Sequence, residues 1–189
     1  MRIISGNLKG KKISLPKDKN TRPLRDMVKE SIFNLIQHSK KINFSIENSK
    51  VLDLFSGSGS FGLECISRGA NFVIFVENYK DILQILKKNL NSLKIENKFK
   101  IYEQDCFKFF QINKNLNQRF NIIFMDPPYK EKNINLLIKE ILDHRILEKS
   151  GVFIVHRHKS DKTEISKDIK ILDERIYGIS RIIIGTSIK

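Results

Sequence analysis

Four consecutive residues, Asp126-Pro127-Pro128-Tyr129, bring together a carboxylate, a carbonyl with no amide hydrogen beside it, and an aromatic face. That set suits a reaction at an exocyclic amino group, whose lone pair is delocalised into its ring and makes a poor nucleophile. The Asp126 carboxylate and the Pro127 carbonyl each accept one N–H, drawing the nitrogen toward tetrahedral geometry, and in-line positioning supplies the rest. Tyr129 offers a surface on which a base can stack once it has left its helix. Asp126, Pro127, Pro128 and Tyr129 are therefore the candidate catalytic residues. The bland alternative is a loop start in which the tyrosine packs on a sheet edge.

A second stretch, Val51 to Glu64, decides what such a site would use. It reads Val-Leu-Asp-Leu-Phe-Ser-Gly-Ser-Gly-Ser-Phe-Gly-Leu-Glu, an apolar run that meets Asp53 and turns through glycines into a helical stretch. Gly57, Gly59 and Gly62 also have the spacing of a dinucleotide fingerprint, with Glu77 at a plausible distance for a ribose contact. Dehydrogenases have no evident use for Asp-Pro-Pro-Tyr, so S-adenosylmethionine is the expected cofactor. Four acids then fall at successive strand ends, toward the carboxyl edge where open α/β sheets bind ligands. Glu77 is expected to accept both ribose hydroxyls, Asp105 the adenine amino group with an apolar neighbour packed on the ring, and Asp53 to lie near the ammonium end. Gly57 and Gly59 would let the backbone approach the ligand. Phe55, Asn78 and Cys106 complete the expected cofactor-binding set. Any one acid read alone is better explained as a helix N-cap or a solvated residue; four at successive strand ends point to a cofactor crevice.

The elements that must position these residues are legible from periodicity. Short apolar runs at Val51–Phe55, Phe72–Val76, Phe99–Tyr102, Phe120–Met125 and Val152–Val155 read as buried parallel strands. Helical stripes lie at Val28, Ile32, Leu35 and Ile36, at Ile82, Leu86, Leu90 and Leu93, and at Ile134, Leu137, Ile138, Ile141 and Leu142. The tail from Ile169 to Ile184 has two apolar-rich stretches about Tyr177-Gly178, a closing antiparallel hairpin. The expected fold is α/β, Rossmann-like, with a mostly parallel sheet and an antiparallel C-terminal strand. A small N-terminal β-hairpin is expected where Arg2-Ile3-Ile4 and Lys11-Lys12-Ile13 flank a glycine-punctuated turn.

With 189 residues, 40% hydrophobic and 30% charged, the chain is expected to form a single soluble domain over 1–189. Neither a transmembrane span nor a signal-like start is read in it, and a cytoplasmic location is expected. Cys65 and Cys106 have no metal-ligand spacing and read as small core residues. His156 and His158 share a strand face, but two ligands are too few for a metal, and a basic RNA-facing edge is the better reading. The formal charge is +14, and +7 of it falls on the first 25 residues, where eight basic side chains face only Asp18. That arm, residues 1–25, is expected to be an RNA-binding extension through Arg2, Lys9, Lys11, Lys12, Arg22 and Arg25.

Taken together, the opening Arg-Ile-Ile-Ser-Gly-Asn-Leu-Lys-Gly-Lys-Lys-Ile, the segment from Arg22-Pro23 to Asn34, Asp-Leu-Phe-Ser-Gly-Ser-Gly and Asp-Pro-Pro-Tyr make the chain resemble the RsmD family nearly end to end. These are bacterial class I S-adenosylmethionine-dependent methyltransferases acting on the exocyclic amino group of a guanine in small-subunit (16S) ribosomal RNA. The last two motifs are shared by many amino-methyltransferases; the first two are the specific part. The resemblance implies ribosomal RNA or the assembling small subunit as partner, and a place near cofactor and target base for Arg22, Arg25, Asp26, Glu30 and Asn34; a monomer is expected, although no residue pattern speaks to oligomeric state. The chain departs from the family pattern at Leu24, where Thr usually follows Arg-Pro, and at His156, where an acid is expected in many relatives. A DNA adenine-N6 methyltransferase and a non-catalytic RNA-binding module are the alternatives. The first would lack residues for a separate target-recognition domain, and the second leaves Asp-Pro-Pro-Tyr without a use.

Overall fold

A computed structural model describes residues 1–16, 24–113 and 116–188. Helix α1 (Asp26–His38) precedes a sheet built from β1 (Lys50–Leu54), β2 (Phe72–Glu77), β3 (Phe99–Glu103), β4 (Phe120–Met125), β5 (Leu147–His158), β6 (Ile169–Tyr177) and β7 (Ser180–Ser187). Helices α2 (Ser60–Ser67), α3 (Lys80–Ser92), α4 (Cys106–Ile112) and α5 (Ile134–Asp143) connect the first five strands. The seven strands lie in the order β3-β2-β1-β4-β5-β7-β6. β1 to β5 pair in parallel, and β7 runs antiparallel to both neighbours. The expected Rossmann-like sheet with its antiparallel last strand is the one observed.

The strands read as continuous apolar runs because both sheet faces are covered. Val51, Val73, Phe75, Ile122, Phe124 and Ile154 pack with α1, α2 and α3 in one core. Their alternates Leu52, Leu54, Ile74, Val76, Ile123, Met125 and Phe153 pack with α4 and α5 in the other. Two elements differ from expectation. β5 begins at Leu147 rather than Val152, because Leu147 pairs with Phe120 before a register shift that carries Glu148 to Gly151, and regular pairing resumes where Val152 meets Ile122. Helix α4 is short, burying only Cys106, Phe109 and Phe110; it starts where the Asp105 carboxylate accepts the N–H groups of Phe107 and Lys108.

The first thirteen residues are packed onto the domain. Their antiparallel pairing is limited to one bridge, Arg2 with Lys12. The turn between them is drawn onto α2, because Glu64 accepts the N–H groups of Ile4 (2.8 Å) and Ser5 (2.9 Å) and Ser67 accepts those of Asn7 and Leu8. Gly6 makes the approach possible, since it has φ of +80° and a Cβ there would stand 1.8 Å from the Ser67 carbonyl oxygen. Ile3 and Ile13 sit in the core, while Arg2, Lys9, Lys11 and Lys12 remain exposed.

Beneath this segment lies a buried charge cluster. The Lys29 ammonium donates to the Arg2 carbonyl (3.1 Å) and the Ser60 hydroxyl (3.3 Å), and sits 3.7 Å from Glu64 and 3.6 Å from Asp26. Glu64 also accepts from Arg68 Nε at 2.9 Å. Burial pulls the Lys29 ammonium below its ordinary pKa, with Glu64 and then Asp26 opposing that pull. No helix among the described residues is long and apolar enough to cross a membrane.

Candidate active site

The strand order reverses direction between β1 and β4, and the crevice at such a switch point is where doubly wound sheets bind ligands. A cavity of about 800 Å³ opens there. Its lining joins Asp53, Phe55, Gly57, Glu77, Asn78 and Asp105 to Asp126, Pro127, Pro128 and Tyr129, so the expected cofactor residues and the expected catalytic residues share one chamber. Phe61 and Phe124, which also line it, are stacked 3.9 Å apart, and Phe33 stacks behind Phe61 at 5.2 Å. That column gives the chamber an apolar wall facing its acids.

Each acid is held by the backbone around it. Asp53 points from β1 toward α2, where its Oδ2 accepts the Gly62 N–H at 3.0 Å. Burial pushes its carboxyl well above the usual carboxylate range; the Gly62 N–H opposes this, and the charges of Asp126 and Glu77 add to it. A cation arriving there would oppose that push. Glu77, at the end of β2, accepts three N–H groups: Gly57 on Oε2 (2.8 Å), and Asn78 (2.9 Å) and Tyr79 (3.0 Å) on Oε1. Of the roughly four lone-pair positions of a carboxylate, the one left open is on Oε2. Paired ribose contacts through Glu77 therefore require the Gly57 amide to yield or to share its acceptor. Asp105 caps α4 through Oδ1 and takes the Asn78 amide on Oδ2 at 3.3 Å, so the helix-cap reading is correct and does not exclude a ligand role.

Two expected cofactor residues do not line the cavity. The Cys106 thiol is buried beneath Phe55, whose N–H it accepts at 3.2 Å, and the cavity wall is formed by the next residue, Phe107. Phe107 packs edge-on to Phe55 with ring centroids 6.0 Å apart. Gly59 is required by the fold: its φ is +81° and an added Cβ would meet Leu86 at 2.5 Å. Pattern reading also missed Leu24, Ile82 and His156 as lining residues. Ile82 belongs to the α3 stripe, which gives no sign of being turned toward a ligand.

The histidine pair divides. His156 is only 5% exposed, which rules out the RNA-facing edge read from its sequence context; its Nδ1 lies 2.7 Å from Asp126 Oδ1. His158 is more open, with its ring edge-on to Tyr129 at 5.0 Å between centroids. Between them Arg157, 1% exposed, donates to the carbonyls of Pro128 and Glu131 while pairing with Asp161. A cation is thus tied to the loop that carries Pro127 to Glu131, and holds it against β5.

Of the N-terminal residues, Pro16 and Leu24 line the cavity and Arg25 is exposed at the start of α1. Arg22 lies outside the described residues. Glu30 and Asn34 occupy the exposed face of α1 and Asp26 faces Lys29; none of the three lines the cavity.

A family model described as Conserved hypothetical protein 95 matches residues 1–186. Ribosomal RNA small subunit methyltransferase D of Haemophilus influenzae is 31% identical over 180 residues, covering 95% of this chain and 90% of its own. The protein of the same name from Buchnera aphidicola (Acyrthosiphon pisum) is 32% identical, over 92% of this chain and 86% of its own. Among solved structures, Escherichia coli yhhF superposes with a TM-score of 0.81 at 26% identity, over 99% of this chain and 97% of that one.

Proposed function

Since this chain belongs to the family of conserved hypothetical protein 95, the RsmD family, we propose that it transfers a methyl group from S-adenosylmethionine to the exocyclic N2 amino group of a guanine in small-subunit ribosomal RNA. One observation carries the reading: Asp126 to Tyr129 and the acids of three other strand ends line a single cavity. That cavity is acidic in a chain of formal charge +14. An acidic chamber suits a sulfonium and an ammonium, while a basic exterior suits the phosphates of RNA.

When bound, S-adenosylmethionine supplies an electrophilic methyl carbon on sulfur. Glu77 would take the ribose, Phe107 and Ile82 the adenine faces, Asp105 the adenine amino group and Asp53 the ammonium. Asp126 and the Pro127 carbonyl accept the two amino hydrogens of the base, Tyr129 stacks on its ring, and Arg157 keeps the loop in place. Methylated in exchange for the sulfonium's S–C bond, the base nitrogen would have one proton to shed, for which the Asp126 carboxylate is the acceptor the chain offers. The test is to supply labelled S-adenosylmethionine with naked small-subunit RNA, assembled small subunit or duplex DNA, then digest and identify the nucleoside. N2-methylguanosine supports the reading; N6-methyladenine from DNA overturns it.

Two further results are expected. Glu77→Ala should weaken S-adenosylmethionine binding by about 1.5–3 kcal/mol, the loss of hydrogen bonds to a charged acceptor. Calorimetry showing unchanged affinity would remove Glu77 from the site. The N-terminal cations are tested by charge alone, because deleting the segment would strip Ile3 and Ile13 from the core. A Lys9→Ala, Lys11→Ala, Lys12→Ala variant should melt like the parent yet bind RNA with a shallower dependence on salt. Equal salt slopes would make these lysines bystanders.

A further inference from the structure

Among the described residues, His156 is the hydrogen-bond partner of the Asp126 side chain, and the contact is short, 2.7 Å from Nδ1 to Oδ1. The other ring nitrogen, Nε2, is buried and has no partner among those residues. Both residues line the cavity. Facing a carboxylate, Nδ1 must be the donor, so in the neutral ring Nε2 is an acceptor that nothing fills. A buried polar atom without a partner costs stability and calls for an explanation. His156 stands on the sheet face that carries Ile154, Ile182 and Ile184, where an apolar side chain would cost nothing of the kind.

We propose that His156 is a positioning residue for methyl transfer, pinning Oδ1 of Asp126 through Nδ1–H so that Oδ2 is presented to the amino group of the base. The proposal rests on the amino-methyltransferase reading above. Asp126 needs such a hold because it lies just beyond the end of β4, and its side chain is 20% exposed. The Pro127 that follows it has no N–H to offer. The division of labour also changes how Asp126 meets the base. With one lone pair of Oδ1 taken by the imidazole, the carboxylate is no longer free to turn both oxygens toward a guanine edge. Its orientation is set before the base arrives, which is the preorganisation that in-line transfer requires.

The experiment compares parent, His156→Phe, His156→Asn and His156→Gln in single-turnover methyl transfer. Affinity for S-adenosylhomocysteine is followed by calorimetry, and thermal unfolding is recorded. Asn places an N–H where Nδ1 stands; Gln places its polar group out where Nε2 stands. The Phe variant should be about 100-fold slower, the scale of a small misplacement of a reacting group. Its cofactor affinity should be unchanged and its Tm equal to or above the parent's. Asn should restore most of the rate and Gln should not. A Phe variant as fast as the parent, Asn and Phe variants equally slow, or rates that fall only in step with Tm would overturn the proposal. Nitrogen NMR of the parent supplies a readout independent of activity. A ring protonated at Nδ1 is expected, and one protonated at Nε2 alone would sink the idea even if methyl transfer is confirmed. A parent that shows the Nδ1–H tautomer but methylates no amino group would instead overturn the functional reading and, with it, the role of the pair.

Discussion

Replacing Asp126 by alanine should lower the rate of methyl transfer by roughly 10³-fold or more while leaving S-adenosylmethionine affinity close to the parent's. The magnitude is that of removing a preorganised group aimed at charge that develops only in the transition state. The selectivity follows from position. Asp126 lies past the end of β4, with its carboxylate held by His156, whereas the residues assigned to the cofactor stand at the ends of β1, β2 and β3. Asp126→Asn keeps one carbonyl acceptor and should retain part of the rate. Its new amide can donate where the carboxylate only accepts, so its preference for guanine over adenine at the target should fall. Single-turnover assays on RNAs carrying either base, beside calorimetry with the cofactor, give both quantities. A large loss of cofactor affinity in the Ala variant would show that Asp126 belongs to the cofactor site instead. An Asn variant as guanine-selective as the parent would place base selection elsewhere in the pocket.

The second large effect is on stability. Glu64→Ala should cost about 3–5 kcal/mol, the usual consequence of leaving a buried charge without its counter-ion. Its carboxylate accepts the N–H groups of Ile4 and Ser5 and the Nε–H of Arg68, and lies 3.7 Å from the Lys29 ammonium. Both Glu64 and Lys29 are fully buried. The loss should appear in urea unfolding as a lower midpoint with little change in slope. Glu64→Leu combined with Lys29→Met should be less damaged than Glu64→Leu alone, because the second change removes the stranded ammonium. If the double variant is as unstable as the sum of the singles, the two charges are not coupled, and the backbone contacts to Ile4 and Ser5 carry the whole effect.

What pattern reading recovers here follows the range of the interaction. The strands are legible because burial on both faces makes them continuously apolar, and the acids at their ends are legible because the chain must turn there. Asp126 to Tyr129 is legible because its chemistry is complete in four adjacent residues. α4 is missed because seven residues of Cys-Phe-Lys-Phe-Phe-Gln-Ile are too few to repeat a helical period, and their start is marked only by the Asp105 cap. Gly59 looks like a ligand contact, but a left-handed turn and the approach of Leu86 demand the same residue. His156 lies 30 positions from Asp126 and Lys29 lies 35 from Glu64, so each pairing exists only once the sheet order and helix packing bring the partners together. Local spacing carries no trace of either.

The docking of the N-terminal segment on α2 also bears on the order in which the protein takes shape during synthesis. Ile4 and Ser5 are translated about sixty residues before the carboxylate that receives them, and contacts so distant along the chain pay a large closure entropy before any reward. A nascent chain halted short of Glu64 therefore carries its lysine-rich start unattached, with the Ile3 and Ile13 side chains still in water. Vectorial synthesis cannot fold this molecule from its first residue forward. Its beginning waits for its middle.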